Sequence, residues 1–261
     1  MKVIITNTTL VNGGDAAIVF AMIEMLRHTF GQDTVVNVLD SMATTTRRYY
    51  PELEISQLIS IQPRATGGRA SRLLTRLGRR ISRLRVAIAL GMLSRGMDIS
   101  RLVLSKDMRL VFRHYADADM VISVAGTYLV DNYDISPRLR ELDVAMAYGK
   151  RPLFYTQSLG PFEKRQMGEM LTAYFDRAPL ILLRDARSRS SVEALGVDPA
   201  KIHVLADCVF GLAQAGRLAA AENRQGPVRR VAISVRDWPF FRDGASAAGM
   251  ERYISGVAKA A

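Results

Sequence analysis

"MKVIITNTTLVNGGDAAIVFAMIEML", residues 1–26, sets a β-branched run, a glycine pair and an apolar helical pattern in immediate succession. Val3 to Thr6 reads as a buried strand, and Ala16 to Leu26 as a helix with apolar residues on most faces. Between them Asn12-Gly13-Gly14-Asp15 supplies turn residues and a helix N-cap. Strand, glycine turn and helix start is the geometry that receives phosphate or a dinucleotide. Here the spacing is not Gly-x-Gly-x-x-Gly, no Gly-Lys-Ser/Thr follows, and Asp15 puts a carboxylate where a phosphate would sit. The turn predicts a pocket floor rather than a dinucleotide cradle.

The same unit recurs downstream. "TVVNVLD" (34–40) and "LEISQLISI" (53–61) read as strands, and "SKDMRLVFRHYADAD" as a helix leading into the strand "MVISVAG" (120–126). "RPLFYTQSLGPF", "PLILLRD" and "KIHVLAD" are further strands, separated by the helices "KRQMGEMLTAYFDRA" and "ARSRSSVEALGV". Such alternation predicts an α/β fold: a Rossmann-like parallel sheet with helices on both faces, over residues 1–213. Residues 214–227 are polar and rich in small side chains, as suits a linker. "VRRVAISVRD" opens a second Rossmann-like half over 228–261, which reads as incomplete: one strand and a helix from about Ala247. Transfer chemistry by this chain alone is therefore expected to be weak or nil.

Charge is concentrated. Nine arginines and no acidic residue lie between Ile55 and Met97, so this window holds +9 of the formal +11. Within the basic insertion, about 64–101, "RLLTRLGRRISRLR" places Leu73, Leu74, Leu77, Ile81 and Leu84 on one side of a helix. Arg72, Arg76, Arg79, Arg80 and Arg83 lie roughly opposite. An anionic membrane surface met through Arg72–Arg85 is the expected partner of this helix. Nucleic acid is not expected, because aromatic residues are absent from 64–101 and no binding motif accompanies the arginines. No apolar run is long enough to span a bilayer, the first strand leaves no room for a signal peptide, and Cys208 is the single cysteine. The expected location is the cytoplasm, peripheral to the cytosolic face of the inner membrane.

Polar residues gather where the predicted strands end, which is where doubly wound sheets bind ligands. They are Asn12-Gly13-Gly14-Asp15, Ala125 to Asp131, Gln157-Ser158-Leu159-Gly160-Pro161, Arg184-Asp185-x-x-Ser188, Asp207 and Arg236-Asp237. Each alone has a bland reading: Asp15 and Ser188 as helix caps, Gly160-Pro161 as a turn, Arg184-Asp185 as a surface ion pair. His28, His114 and His203 lack ligand spacing, so no metal is expected. Without a Gly-x-Ser-x-Gly elbow or a histidine near Cys208, covalent catalysis is not expected either.

In their order and spacing these motifs resemble the polysaccharide pyruvyl transferase family over essentially the whole chain. The resemblance implies two Rossmann-like halves of GT-B-like build. It also implies transfer of the enolpyruvyl group of phosphoenolpyruvate to a sugar hydroxyl pair, closing a cyclic ketal with release of phosphate. Phosphoenolpyruvate is then a donor substrate and no cofactor is needed. The acceptor it implies is a saccharide, free or lipid-linked, in exopolysaccharide or cell-surface polysaccharide synthesis.

Carried over, Asn12, Gly14 and Asp15 line the acceptor side with Gly126 and Asp131, and either aspartate is the candidate base. Ser158, Gly160, Pro161, Arg184, Asp185 and Ser188 shape the middle of the cleft. Arg236 is the donor-binding arginine, apt because a guanidinium fork grips a carboxylate or phosphate in bidentate fashion. Ala125-Gly126-Thr127 stands where the family carries a run of glycines. The alternatives are a GT-B sugar-nucleotide glycosyltransferase and a truncated, non-catalytic saccharide-binding module.

Overall fold

A computed structural model describes residues 1–59, 69–131, 133–163, 165–212 and 247–260. Its strands are β1 (Lys2–Thr8), β2 (Val35–Asp40), β3 (Glu54–Gln57), β4 (Met120–Ser123), β5 (Leu153–Gln157), β6 (Ile181–Leu183) and β7 (Ile202–Val204). They form one parallel sheet in the order β3-β2-β1-β4-β5-β6-β7. Residues 34–40 and 120–126 read as strands, and the ladder keeps their apolar cores: Val3 pairs with Val36 on one side and with Met120 on the other.

Because a strand's side chains alternate, β1 feeds two cores. Val3 and Ile5 meet Val36, Val38, Ile122 and helix α1 (Gly13–Phe30), which buries Ala16, Val19, Met22 and Ile23. Helix α2 (Ala43–Tyr49) adds Ala43 to this side. Ile4 faces the other way, toward Leu39, Val121 and four helices: α3 (Arg69–Leu93), α4 (Ser100–Val103), α5 (Lys106–Asp117) and α6 (Ser136–Ala147). Helices α7 (Arg165–Arg177) and α8 (Ala186–Glu193) cover Phe154, Ile181 and Leu183, completing the sheet's second half. The short α9 (Phe210–Leu212) lies against α1.

Several elements are shorter than the sequence suggests. β3 ends at Gln57, and Leu58 and Ile59 are buried beyond the ladder. β4 ends at Ser123, because Gly126 takes φ 131° and meets β5 only through a single bridge to Gln157. The arginine-rich helix is longer than its basic part, running through the apolar 86–93 to Leu93.

The chain divides into two compact units, Met1–Leu218 and Ala219–Ala261. Within the second, α10 (Ala247–Ala260) is the described element. The predicted linker, the predicted strand over 228–237 and Arg236 lie outside the described residues.

A buried carboxylate fixes the loop that follows β1. Asp40, fully buried at the end of β2, accepts from Thr8 Oγ1 (2.9 Å), Leu10 N (2.7 Å), Met42 N (2.7 Å) and Thr46 Oγ1 (2.9 Å). Those four bonds satisfy the carboxyl oxygens where water cannot. They also hold the segment from Thr8 to Asn12 against the end of β2, presenting the start of α1.

Candidate active site at the switch point

β1 and β4 are neighbours in the sheet, yet the chain leaves β1 for one face and β4 for the other. Their carboxyl ends therefore bound a crevice, the usual ligand position in open α/β sheets. At the end of β1 the register shifts between Ile5 and Thr8, and Asn7 takes φ 71°. Asparagine tolerates this left-handed conformation better than other residues bearing a Cβ.

Arg138, from the first turn of α6, reaches back to this kink. Its guanidinium donates to the Asn7 carbonyl, lies 3.5 Å from Thr9 Oγ1 through Nη2, and stacks 4.5 Å from the centre of the Tyr128 ring. Asn7 Nδ2 returns a bond to the Arg138 carbonyl at 3.3 Å. Tyr128 Oη sits 2.6 Å from Ser123 Oγ and accepts from Gln157 Nε2 at 2.8 Å. Enclosure of the hydroxyl end pushes the Tyr128 pKa up to about 12, so it stays protonated. Asn7 Oδ1 and Gln157 Oε1 are buried here without a hydrogen-bond partner among the described residues. Buried acceptors left open are uncommon and call for a ligand group or water.

Asp15 stands in the first turn of α1, where Asn12 is the cap, accepting from Gly14 N at 3.1 Å. Asp15 is therefore not the cap. Partial burial raises its carboxyl pKa, and the attraction of Arg138 and a bond from Asn12 offset this only in part. The result is a half-buried carboxylate with a raised pKa that feels the charge of Arg138.

The ends of β5 and β6 carry a second cluster. Arg184 donates through Nε to Ser158 Oγ (2.7 Å), through Nη1 to Asp207 Oδ2 (2.6 Å) and through Nη2 to Thr127 Oγ1 (2.6 Å). The surface ion pair read between Arg184 and Asp185 is thus replaced by a strut joining the ends of β4, β5, β6 and β7. Asp185 instead caps α8, accepting from Ser188 N (2.7 Å) and Ser188 Oγ, and from Ser158 Oγ (2.9 Å). Burial opposes its ionisation, but these bonds win and hold its carboxyl below the usual range. Ser188 is not a cap. Its hydroxyl accepts from Leu159 N at 2.9 Å and orients the Ser158–Pro161 loop.

Gly160 has φ 73°, and a Cβ there would lie 2.6 Å from Ser191 Cβ, so only glycine fits before Pro161. Asp131 accepts from Glu163 N at 2.6 Å, tying the loop after β4 to the loop after β5. Cys208 is buried, and burial raises its thiol pKa, which makes it a poor nucleophile.

The structure thus brings the predicted residues into two groups. Asn12, Gly14 and Asp15 border the switch point with Gly126. Ser158, Gly160, Pro161, Arg184, Asp185 and Ser188 form one interlocked block, and Asp131 bridges loops beside it. Sequence reasoning missed Asn7 and Arg138; Tyr128 and Gln157 lie in its strand-end motifs but received no role. Of the two missed, Arg138 left a signal: a cation in a helix's first turn opposes the helix dipole and asks for another reason to be there.

A doubly wound parallel sheet with helices on both faces and a polar, cation-bearing crevice at its switch point defines an α/β protein of Rossmann-like class. The polysaccharide pyruvyl transferase family matches residues 12–249, and the chain belongs to that family. It is 28% identical over 126 residues to the amylovoran biosynthesis protein AmsJ of Erwinia amylovora, a match covering 46% of this chain and 30% of AmsJ. Among solved structures, Anabaena Alr3699/HepE in complex with UDP and glucose is similar, with TM-score 0.44 and 11% identity, over 79% of this chain and 44% of that one. The same protein in complex with UDP-glucose gives TM-score 0.45 with the same identity and coverage. The chain spans less than half the length of these relatives.

Proposed function

We propose that this chain contributes the acceptor side of a pyruvyl transferase that builds ketals on an exopolysaccharide or cell-surface polysaccharide. Family membership gives the reaction class. The observation that carries the assignment to this crevice is the half-buried Asp15 with its raised pKa, which feels the charge of Arg138. Phosphoenolpyruvate gains a proton at its vinyl carbon while one sugar hydroxyl attacks the adjacent carbon. A second hydroxyl then displaces phosphate and closes the ketal. Two hydroxyl protons are lost; one ends on the vinyl carbon and one leaves with phosphate.

Asp15 takes the proton from the attacking hydroxyl. Asn7 Oδ1 and Gln157 Oε1 accept hydrogen bonds from other sugar hydroxyls, and Arg138 holds Asn7 in place. Asp131 positions loops rather than acting as the base, since Glu163 N occupies one carboxylate oxygen. Arg236 grips the donor's anionic groups. The acceptor is lipid-linked and met at the cytosolic face of an anionic membrane.

The test pairs binding with turnover. Saccharide pools are titrated into the protein by calorimetry, and phosphate release from phosphoenolpyruvate is followed with the same pools. Saccharide binding that is lost in Asn7→Ala, with saccharide-dependent phosphate release that is weak but above background, is the expected result. Tight binding of sugar nucleotides without any of saccharide or phosphoenolpyruvate would overturn the reading.

A further inference from the structure

We infer that α3 is a membrane-docking helix that lies in the lipid interface with its leucine stripe facing away from the protein. At about 100° per residue, Leu74, Leu77, Ile81, Leu84 and Ile88 fall within an arc of about 80°. All five are exposed, from 43% at Ile81 and Ile88 to 69% at Leu74. The face that meets the domain is a different one. Val86 and Ala89, 3% and 2% exposed, enter the core with Leu104 and Phe112, and Ser82 Oγ lies 3.6 Å from Met108 Sδ of α5. An amphipathic helix on a globular domain ordinarily turns its apolar face inward. Here the inward face has small and polar residues along much of its length, and the apolar stripe points outward.

Charge selects the occupant. Arg80 borders the stripe on one side and Arg85 on the other, with Arg76 and Arg83 further round; all four are exposed. No acidic residue occurs from Ile55 to Met97. Apolar side chains flanked by arginines suit a layer of acyl chains under anionic headgroups, with the guanidinium stems snorkelling upward. A second copy of the chain would set one arginine-bordered stripe against another in a twofold contact, where like charges repel. No described helix is long and apolar enough to cross a membrane, so the contact is interfacial. As a means of reaching a lipid-carried acceptor the docking rests on the transferase reading; as a surface it stands without it.

The experiment is flotation of the full chain with phosphatidylcholine vesicles, with and without about one-third phosphatidylglycerol. Anionic vesicles should retain at least about tenfold more protein, and added salt should reduce this. Leu77→Glu with Ile81→Glu should abolish retention, as should Arg80→Gln with Arg85→Gln, both with an unchanged circular dichroism spectrum. A second readout survives any folding defect in those variants. An environment-sensitive dye on Leu84→Cys should blue-shift on anionic vesicles, and one on Ala87→Cys, off the stripe, much less. Equal retention on both vesicles, retention in none, or equal shifts at the two dye positions would overturn the proposal. So would stripe variants that change only the oligomeric state in light scattering. Phosphate release with a water-soluble saccharide is measured in parallel, so that a failed docking and a failed transferase assignment are told apart.

Discussion

Asp15 and Arg138 oppose each other's influence on one proton. Burial raises the Asp15 carboxyl above its ordinary 3.8, and Arg138 pulls it partly back. A base must be deprotonated, so turnover should rise with pH through the raised value of Asp15. Arg138→Met removes the lowering charge, so the acid limb of the rate profile should move to higher pH. Asp15→Asn should slow phosphate release by about 10²–10⁴-fold while leaving saccharide affinity nearly unchanged. A profile whose acid limb stays in place in Arg138→Met would exclude Asp15 as the base. For Arg236, replacement by Ala should weaken donor binding by about 1.5–3 kcal/mol, the scale of a charge-assisted bond, and Lys should not restore it. Calorimetry with phosphoenolpyruvate measures both.

At the scale of the element, Asp185 is the cap that starts α8, and Asp185→Ala should cost about 1–2 kcal/mol in urea unfolding. Its sign with pH follows from the direction of its shift. The folded carboxyl is held below 3.8, so its contribution is fully present above that value. It is lost as pH falls through the lower, folded value, so the gap between wild type and variant should close in strong acid. Gly160→Ala should be costlier, about 1–3 kcal/mol, because φ 73° and Ser191 both oppose a Cβ. Ser191→Gly should recover only part of that loss, since it relieves the clash and not the backbone.

Much at this scale was legible in the sequence. The apolar runs before Asn12 and Asp185 mark strands and the polar residues after them their ends, because parallel strands buried on both faces must be apolar and their exits polar. The missing parts depend on long-range contacts. Arg138 meets Asn7 across 131 positions, and the left-handed turn at Asn7 leaves no pattern in its neighbours. Helix α3 misleads for a related reason: its leucines read equally well as a core-facing stripe, and only packing through Val86 and Ala89 shows that they face out.

For the molecule as a whole, the sheet and both its cores lie within Met1–Leu218. A chain ending at residue 218 should therefore fold on its own and unfold in one cooperative step, with a melting temperature within about 4 °C of the longer chain. Scanning calorimetry checks this, and a broad, multi-step transition would show that the second unit is needed. Within that unit Asp40 is the most demanding single position. Asp40→Asn turns an acceptor oxygen into a donor amide facing backbone N–H and hydroxyl groups. It should lower stability by about 2–3 kcal/mol.

The position of β1 at the middle of the sheet also sets an order of events during synthesis. Lys2–Thr8 leaves the ribosome before the other strands of the sheet and gains β2 as a neighbour early, but its other edge is filled only by Met120–Ser123. About eighty residues separate β2 from β4, and at translation speeds of about 5–20 residues per second that interval lasts about 4–16 s. Throughout it, an apolar strand edge with unpaired backbone groups is open to any passing chain. Nascent chains arrested within this interval should be captured by chaperones and cut readily by protease. Those arrested well after β4 has emerged should be released and resistant.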